Sequence, residues 1–186
     1  MNFKTFIYSI INQYFIPING IDKDSVKNSL NQNHFSFQCT KCGKCCYGPG
    51  SVYFSYKELI EVKKYLKLDQ TQWKELKQKI IHKNKNGLFI HKTYNKCYFL
   101  NTKNQCSIYP VRPLQCRTFP FWPSYFKSPK NLQNLILFCP GSNLIKANHN
   151  NKKIFSPDEI VFYCNTTIQK FNRNQIKQNK NDLIKL

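Results

Sequence analysis

Four cysteines fall within eight residues, Cys39, Cys42, Cys45 and Cys46, in the order Cys-x-x-Cys-x-x-Cys-Cys. Two residues between cysteines let one tight turn aim both thiolates at a single ion, while the backbone N–H groups between them stabilise the charged sulfurs. Gly43, inside the run, permits the positive φ that such a turn needs. Packing alone is a poor account of four cysteines so placed. Cys45 and Cys46 are adjacent, and neighbouring side chains point in different directions. The simplest arrangement therefore sends one of them to a second site or to a bridging position. Partners for it lie downstream, at Cys97, Cys106, Cys116 and Cys139, each in a stretch that reads as a loop, a strand end or a proline-rich bend. Eight thiolates in two groups suggest two tetrathiolate sites or one polynuclear centre with shared ligands. Such a soft donor set excludes magnesium and calcium and leaves zinc, iron or an iron–sulfur cluster.

The ninth cysteine, Cys164, reads differently. It stands four residues from both Ile160 and Ile168, on the apolar face of a helix, where a thiol packs as a small hydrophobe. The chain has three arginines, and two of them, Arg112 and Arg117, flank Cys116. Their planar guanidinium groups are suited either to donating toward an anionic thiolate centre or to tying down the surrounding loop through backbone carbonyls. His34 and His91 precede Cys39 and Cys97, but with eight thiols at hand both read as ordinary side chains.

The surroundings limit the functions that fit. The 186 residues carry 29 Lys+Arg against 9 Asp+Glu, a formal charge of +20, which would suit nucleic acid or an anionic surface. Yet the basic residues are almost all lysine, spread along the whole chain with no stripe interleaved with aromatics. A basic zinc-binding nucleic-acid module that uses Tyr47, Tyr53, Trp122 and Tyr125 is therefore an alternative and not the favoured reading. Nothing resembles a phosphate loop, a Ser/His/Asp order, a His-Glu-x-x-His helix or a carboxylate pair, so no catalytic residue is assigned. An odd cysteine count and the lack of an export signal favour metal binding over a disulfide framework and point to the cytoplasm.

The elements that must position these residues follow from pattern. Phe3, Phe6, Ile7, Ile10 and Tyr14 predict an amphipathic helix that packs on the domain or touches a membrane surface. A polar stretch over 22–33 leads to a short strand at Phe35-Ser36-Phe37. Ser55 with Glu58 and Asp69 with Gln72 are capping boxes, predicting two helices whose inner faces are Leu59, Val62, Leu66 and Trp73, Leu76, Ile80. After a break at 84–87, Leu88 to His91 and Cys97 to Leu100 read as short strands. The prolines at 110, 113, 120, 123 and 129 exclude a long helix there. Leu135 to Phe138 reads as a buried strand, and Ser156-Pro157-Asp158-Glu159 as the start of a final helix with Ile160, Cys164, Ile168 and Phe171 inside.

Taken together, Phe37-x-Cys-x-x-Cys-Gly-x-Cys-Cys, Cys97-Tyr-Phe-Leu, Cys106-Ser-Ile-Tyr, Arg112-Pro-x-x-Cys-Arg-x-Phe-Pro-Phe121 and Cys139-Pro-Gly resemble the YkgJ-type cysteine-cluster family, described as zinc- or iron-chelating domains. The resemblance runs from about Phe35 to Gly141. It implies metal chelation by Cys39, Cys42, Cys45, Cys46, Cys97, Cys106, Cys116 and Cys139. Flagellin lysine methylases have a similar cluster, but no cofactor-binding pattern here supports that activity. The expected layout is an N-terminal helix and linker over 1–34, a cysteine-cluster domain over 35–141, and a helix with a polar basic tail over 142–186. The expected fold is a small, irregular, metal-stabilised α+β domain with short strands and several amphipathic helices.

Overall fold

A computed structural model describes residues 20–83, 89–93, 95–146, 153–166 and 168–169, without the side chains of 83 and 89–93. The expected helix over 3–16, the break at 84–87, Phe171 and the polar tail lie outside the described residues. The fold is α+β, and the chain divides into two units, one from Cys46–Arg117 and the other from Phe15–Cys45 with Thr118–Gln169.

In the discontinuous unit, α1 (Lys23–Leu30) starts at Asp22, whose carboxylate accepts from the Ser25 N–H and so satisfies one of the open donors of the first turn. Val26 and Leu30, four apart, bury one face. β1 (His34–Phe37) is the centre of a three-stranded antiparallel sheet, flanked by β5 (Ser142–Ile145) and β6 (Ile154–Phe155). Phe35 is fully buried and meets Phe126 edge-to-face at 5.1 Å and Phe121 at 6.1 Å. Around it pack Leu132, Leu135, Phe155, Ile160 and Cys164.

Leu135 to Phe138 is not a strand. Ser128 caps and Pro129 opens α5 (Pro129–Phe138), whose 3.6-residue period buries Leu132 and Leu135 and leaves Leu137 64% exposed. A four-residue apolar run reads either way; the cap upstream of it decides. The polar stretch over 22–33 likewise holds a helix, α1. The final helix, α6 over 157–166, begins at the Ser156/Glu159 pair as expected.

In the Cys46–Arg117 unit, β2 (Gly50–Phe54), β3 (Ile81–Lys83) and β4 (Phe89–Thr93) form an antiparallel sheet in the order β2-β4-β3. Both capping boxes are present, at Ser55/Glu58 for α2 (Tyr56–Tyr65) and Asp69/Gln72 for α3 (Gln70–Ile80). Their inner faces join Phe54, Phe99 and Ile108 in a second core. Cys97 to Leu100 is a turn, closed by Leu100 N–H to Cys97 O at 3.1 Å, and not a strand. The proline-rich region holds short pieces: a 3-10 turn at Tyr109–Val111, α4 (Leu114–Arg117) and, in the other unit, a 3-10 turn at Pro123–Phe126. Tyr125 is only 8% exposed and Trp122 stacks on it at 5.7 Å, so of the four aromatics considered for base stacking only Tyr47 is exposed.

Candidate metal centre

The first four-cysteine segment leaves β1 at its paired end. Gln38 N–H donates to Gly141 O at 3.0 Å, carrying the β1–β5 ladder one step past Phe37↔Ser142. The approach is close: a Cβ at Gly141 would overlap the Gln38 carbonyl oxygen, so only glycine lets the two chains meet. Cys139 N–H donates to Leu135 O at 2.8 Å and ends α5, and Ser142 N–H donates to Cys139 O at 3.0 Å, closing a turn. Cys39 and Cys139 therefore flank the same end of the ladder.

From there the chain turns sharply. Lys41 and Gly43 have φ of 54° and 73°, and a 3-10 turn runs over Lys44–Cys46. The Cys42 thiol receives the Thr40 hydroxyl and the Lys44 N–H. Desolvation is the largest single influence on it and pushes it up. These donors, its own N–H and the Lys44 ammonium together outweigh desolvation and hold the thiol below its ordinary value. Cys39, Cys42 and Cys45 are exposed, and Cys139 is buried.

In the other unit, Cys97 N–H donates to Cys46 O at 2.7 Å, next to the Tyr47↔Lys96 bridge. The turn from Cys97 brings Leu100 into a bridge with Cys106, and Cys97 and Cys106 both rest against the second core. Cys116 lies on α4, which is held from two sides. The Gln115 side chain completes the edge of β2, accepting from Tyr53 N–H at 3.0 Å and donating to Ser51 O at 3.2 Å. The Glu58 carboxylate, 6% exposed, accepts from Leu114 N–H at 2.7 Å and from Arg117 Nη2 at 3.4 Å. Its other oxygen accepts from Ser55 N–H at 2.8 Å and Ser55 Oγ at 2.9 Å.

Arg112 ties down its loop, since its Nε donates to Tyr109 O at 2.8 Å and its guanidinium lies 3.6 Å from the centre of the Tyr109 ring. Arg117 serves Glu58. His34 stands in β1 opposite Ile145, and His91 lies in β4 with its side chain outside the described structure. Cys164 is fully buried in the first core, and burial pushes its thiol up to about 12.

The nine cysteines form no disulfide. Backbone hydrogen bonds bring Cys39 near Cys139, Cys46 to Cys97, and Cys97 toward Cys106. Among the described residues, no three His, Cys, Asp or Glu side chains are gathered in a group that would hold an ion. The donor chemistry suits zinc or iron all the same, since the candidate ligands are thiols, and at Cys42 the sulfur is backed by N–H and hydroxyl donors. The buried Ser142 hydroxyl, in the turn that contains Cys139, has no partner among the described residues.

A family profile described as "CxxCxxCC: Putative zinc- or iron-chelating domain" matches residues 38–140. The chain belongs to the CxxCxxCC family. No solved structure matches it. The matched span runs from one residue before Cys39 to one after Cys139, so eight cysteines fall inside the CxxCxxCC domain and Cys164 falls outside. Sequence patterns assign no site role to Glu58, Gln115 or Ser142. Glu58 shows there only as the partner in a helix cap, and nothing local to Gln115 or Ser142 marks them.

Proposed function

We propose that the chain is a zinc- or iron-chelating protein that holds its metal through the thiolates of Cys39, Cys42, Cys45, Cys46, Cys97, Cys106, Cys116 and Cys139, and that the metal is zinc. The observation that carries this reading is the contrast between these eight and the ninth. The eight sit at turns and element ends, where N–H groups and hydroxyls can reach a sulfur, as at Cys42. Cys164 is sealed in a core and held as a neutral thiol. Zinc bound by four thiolates is closed to substrate and acts as a structural cross-link. The chain's own part is to favour the Cys42 thiolate through its N–H and hydroxyl donors and to set the placement of the cysteines through the Cys42 turn, the Gly141 contact and the Glu58 clasp on α4. Unbridged thiols suit a reducing compartment, and the cytoplasm is the proposed location. No helix among the described residues is long and apolar enough to cross a membrane.

Elemental analysis of full-length protein purified without oxygen tests the reading. About two zinc per chain in a colourless sample is the expected result, given four thiolates per ion. A brown sample that bleaches with dithionite replaces zinc by an iron–sulfur centre. Protein that retains neither element overturns the proposal.

A further inference from the structure

We infer that the eight thiolates are two separate groups of four, Cys39, Cys42, Cys45 and Cys139 in one and Cys46, Cys97, Cys106 and Cys116 in the other, with the change of group at the Cys45–Cys46 peptide bond. This rests on the chelating role proposed above and adds which four share an ion.

Three observations carry it. The chain passes from one compact unit to the other between Cys45 and Cys46, and the remaining six cysteines divide three and three between the same units. The backbone contacts at the cysteines respect that division. Gln38–Gly141 and Ser142–Cys139 join the ends of the first group, while Cys97–Cys46 and the Leu100–Cys106 bridge join three members of the second. Finally, Cys45 and Cys46 share the 3-10 turn over Lys44–Cys46. Three residues per turn set successive side chains about 120° apart around the axis, so the two sulfurs leave in different directions.

The surroundings of the two groups differ accordingly. The first has three exposed members, the Lys44 N–H and Thr40 hydroxyl on Cys42, and the unpartnered Ser142 hydroxyl in the turn that starts at Cys139. That hydroxyl lies in the same turn as Cys139 and makes no hydrogen bond among the described residues, so it gives the first group a feature that can be tested by itself. The second group has four half-buried members, two of them against a core and one on a helix clasped by Glu58 and Gln115.

The test uses full-length, reduced protein loaded anaerobically with zinc alone. Bound zinc is counted, and each cysteine is scored for alkylation by mass spectrometry. Wild type is expected to hold two zinc. Cys39→Ser and Cys106→Ser should each hold one, the pair Cys39→Ser/Cys139→Ser still one, and the pair Cys39→Ser/Cys106→Ser none. In Cys39→Ser/Cys139→Ser, Cys42 and Cys45 become alkylated while Cys46, Cys97, Cys106 and Cys116 stay protected. Loss of both zinc ions from either single variant, or deprotection that crosses the groups, overturns the division. Because a variant can misfold, wild type is also titrated with less zinc than it can bind. With Cys164 left out of the count, intact chains must then carry zero, four or eight alkyl groups, and a continuous spread overturns the division as well. Wild-type protein that binds no zinc and is alkylated at all eight cysteines fails the chelating role itself, an outcome distinct from both. Ser142→Ala should weaken zinc retention in the first group alone, and equal weakening in both groups removes the role given to its hydroxyl.

Discussion

Glu58→Gln isolates the contact that fixes Cys116. Glutamine at this position still completes the capping box of α2, as Gln72 does for α3, because its carbonyl can accept from the Ser55 N–H. Its amide nitrogen then faces the Leu114 N–H, which loses a 2.7 Å acceptor. A buried N–H left facing a donor costs about 1–3 kcal/mol. The Arg117 pair adds little, because the bond is 3.4 Å long and the guanidinium is 45% exposed. The expected loss is about 2 kcal/mol. For a unit of this size that is a fall of roughly 10 °C in the transition reported by Trp73 in the second core. α4 should also loosen, so alkylation of Cys116 in metal-free protein should speed up several-fold while Cys139 is unchanged. Glu159→Gln is the control: among the described residues that exposed carboxylate hydrogen-bonds within its own cap, and its replacement should leave the transition in place. If Glu58→Gln matches wild type in both transition and Cys116 alkylation, the carboxylate does not hold α4 and the account of how Cys116 is positioned is wrong.

Cys164→Ala should leave metal content unchanged and cost about 1–2 kcal/mol, as expected for a small deletion in a packed core; a metal loss equal to that of Cys42→Ala contradicts this. Native Cys164 should resist alkylation at pH 8, since burial holds it as the thiol. Gly141→Val places a side chain against the Gln38 carbonyl and should destabilise the β1–β5 end by about 1–3 kcal/mol, with zinc lost first from the group containing Cys39. Complete chelation should lower the thermal transition, because structural zinc contributes about 10–16 kcal/mol of apparent binding energy against a net domain stability of about 5–15 kcal/mol. A cooperative, unshifted transition after chelation refutes that dependence. Chelator should also draw zinc out in two phases, the faster accompanied by alkylation of Cys39, Cys42 and Cys45.

The parts of the fold legible in the sequence were those whose signal is local. Ser55/Glu58, Asp69/Gln72 and Ser156/Glu159 each announce a helix within four residues, and Gly43 announces its turn. The run Leu135 to Phe138 misled because four apolar residues carry no period, and the deciding cap at Ser128 lies outside them. β2, β3, β5 and β6 were not legible: β2, β5 and β6 pair with strands far away in the chain, β3 is three residues long and follows α3 without a break, and pairing is a tertiary choice. The same holds at the site. Cysteine type and spacing could be read directly, whereas Gln115 bonds to a strand some sixty residues earlier and Glu58 to a helix equally far ahead. Tyr125 reads as available for stacking in sequence and is covered by chain that only folding brings over it.

The Cys46–Arg117 unit interrupts the other unit within the chain, which sets an order of events during synthesis. β1 emerges early, but its partner β5 begins at Ser142, more than a hundred residues later. At about 5–20 residues per second, β1 and the exposed cysteines behind it wait roughly 5–20 s for the strand that completes their sheet. The second sheet closes sooner, because β2, β3 and β4 all lie within Gly50–Thr93. On the ribosome, the interrupting unit can therefore finish folding while Cys39, Cys42 and Cys45 are still without Cys139. For that interval they are thiols on a strand without its partner, open to oxidants and to metal ions from the solvent.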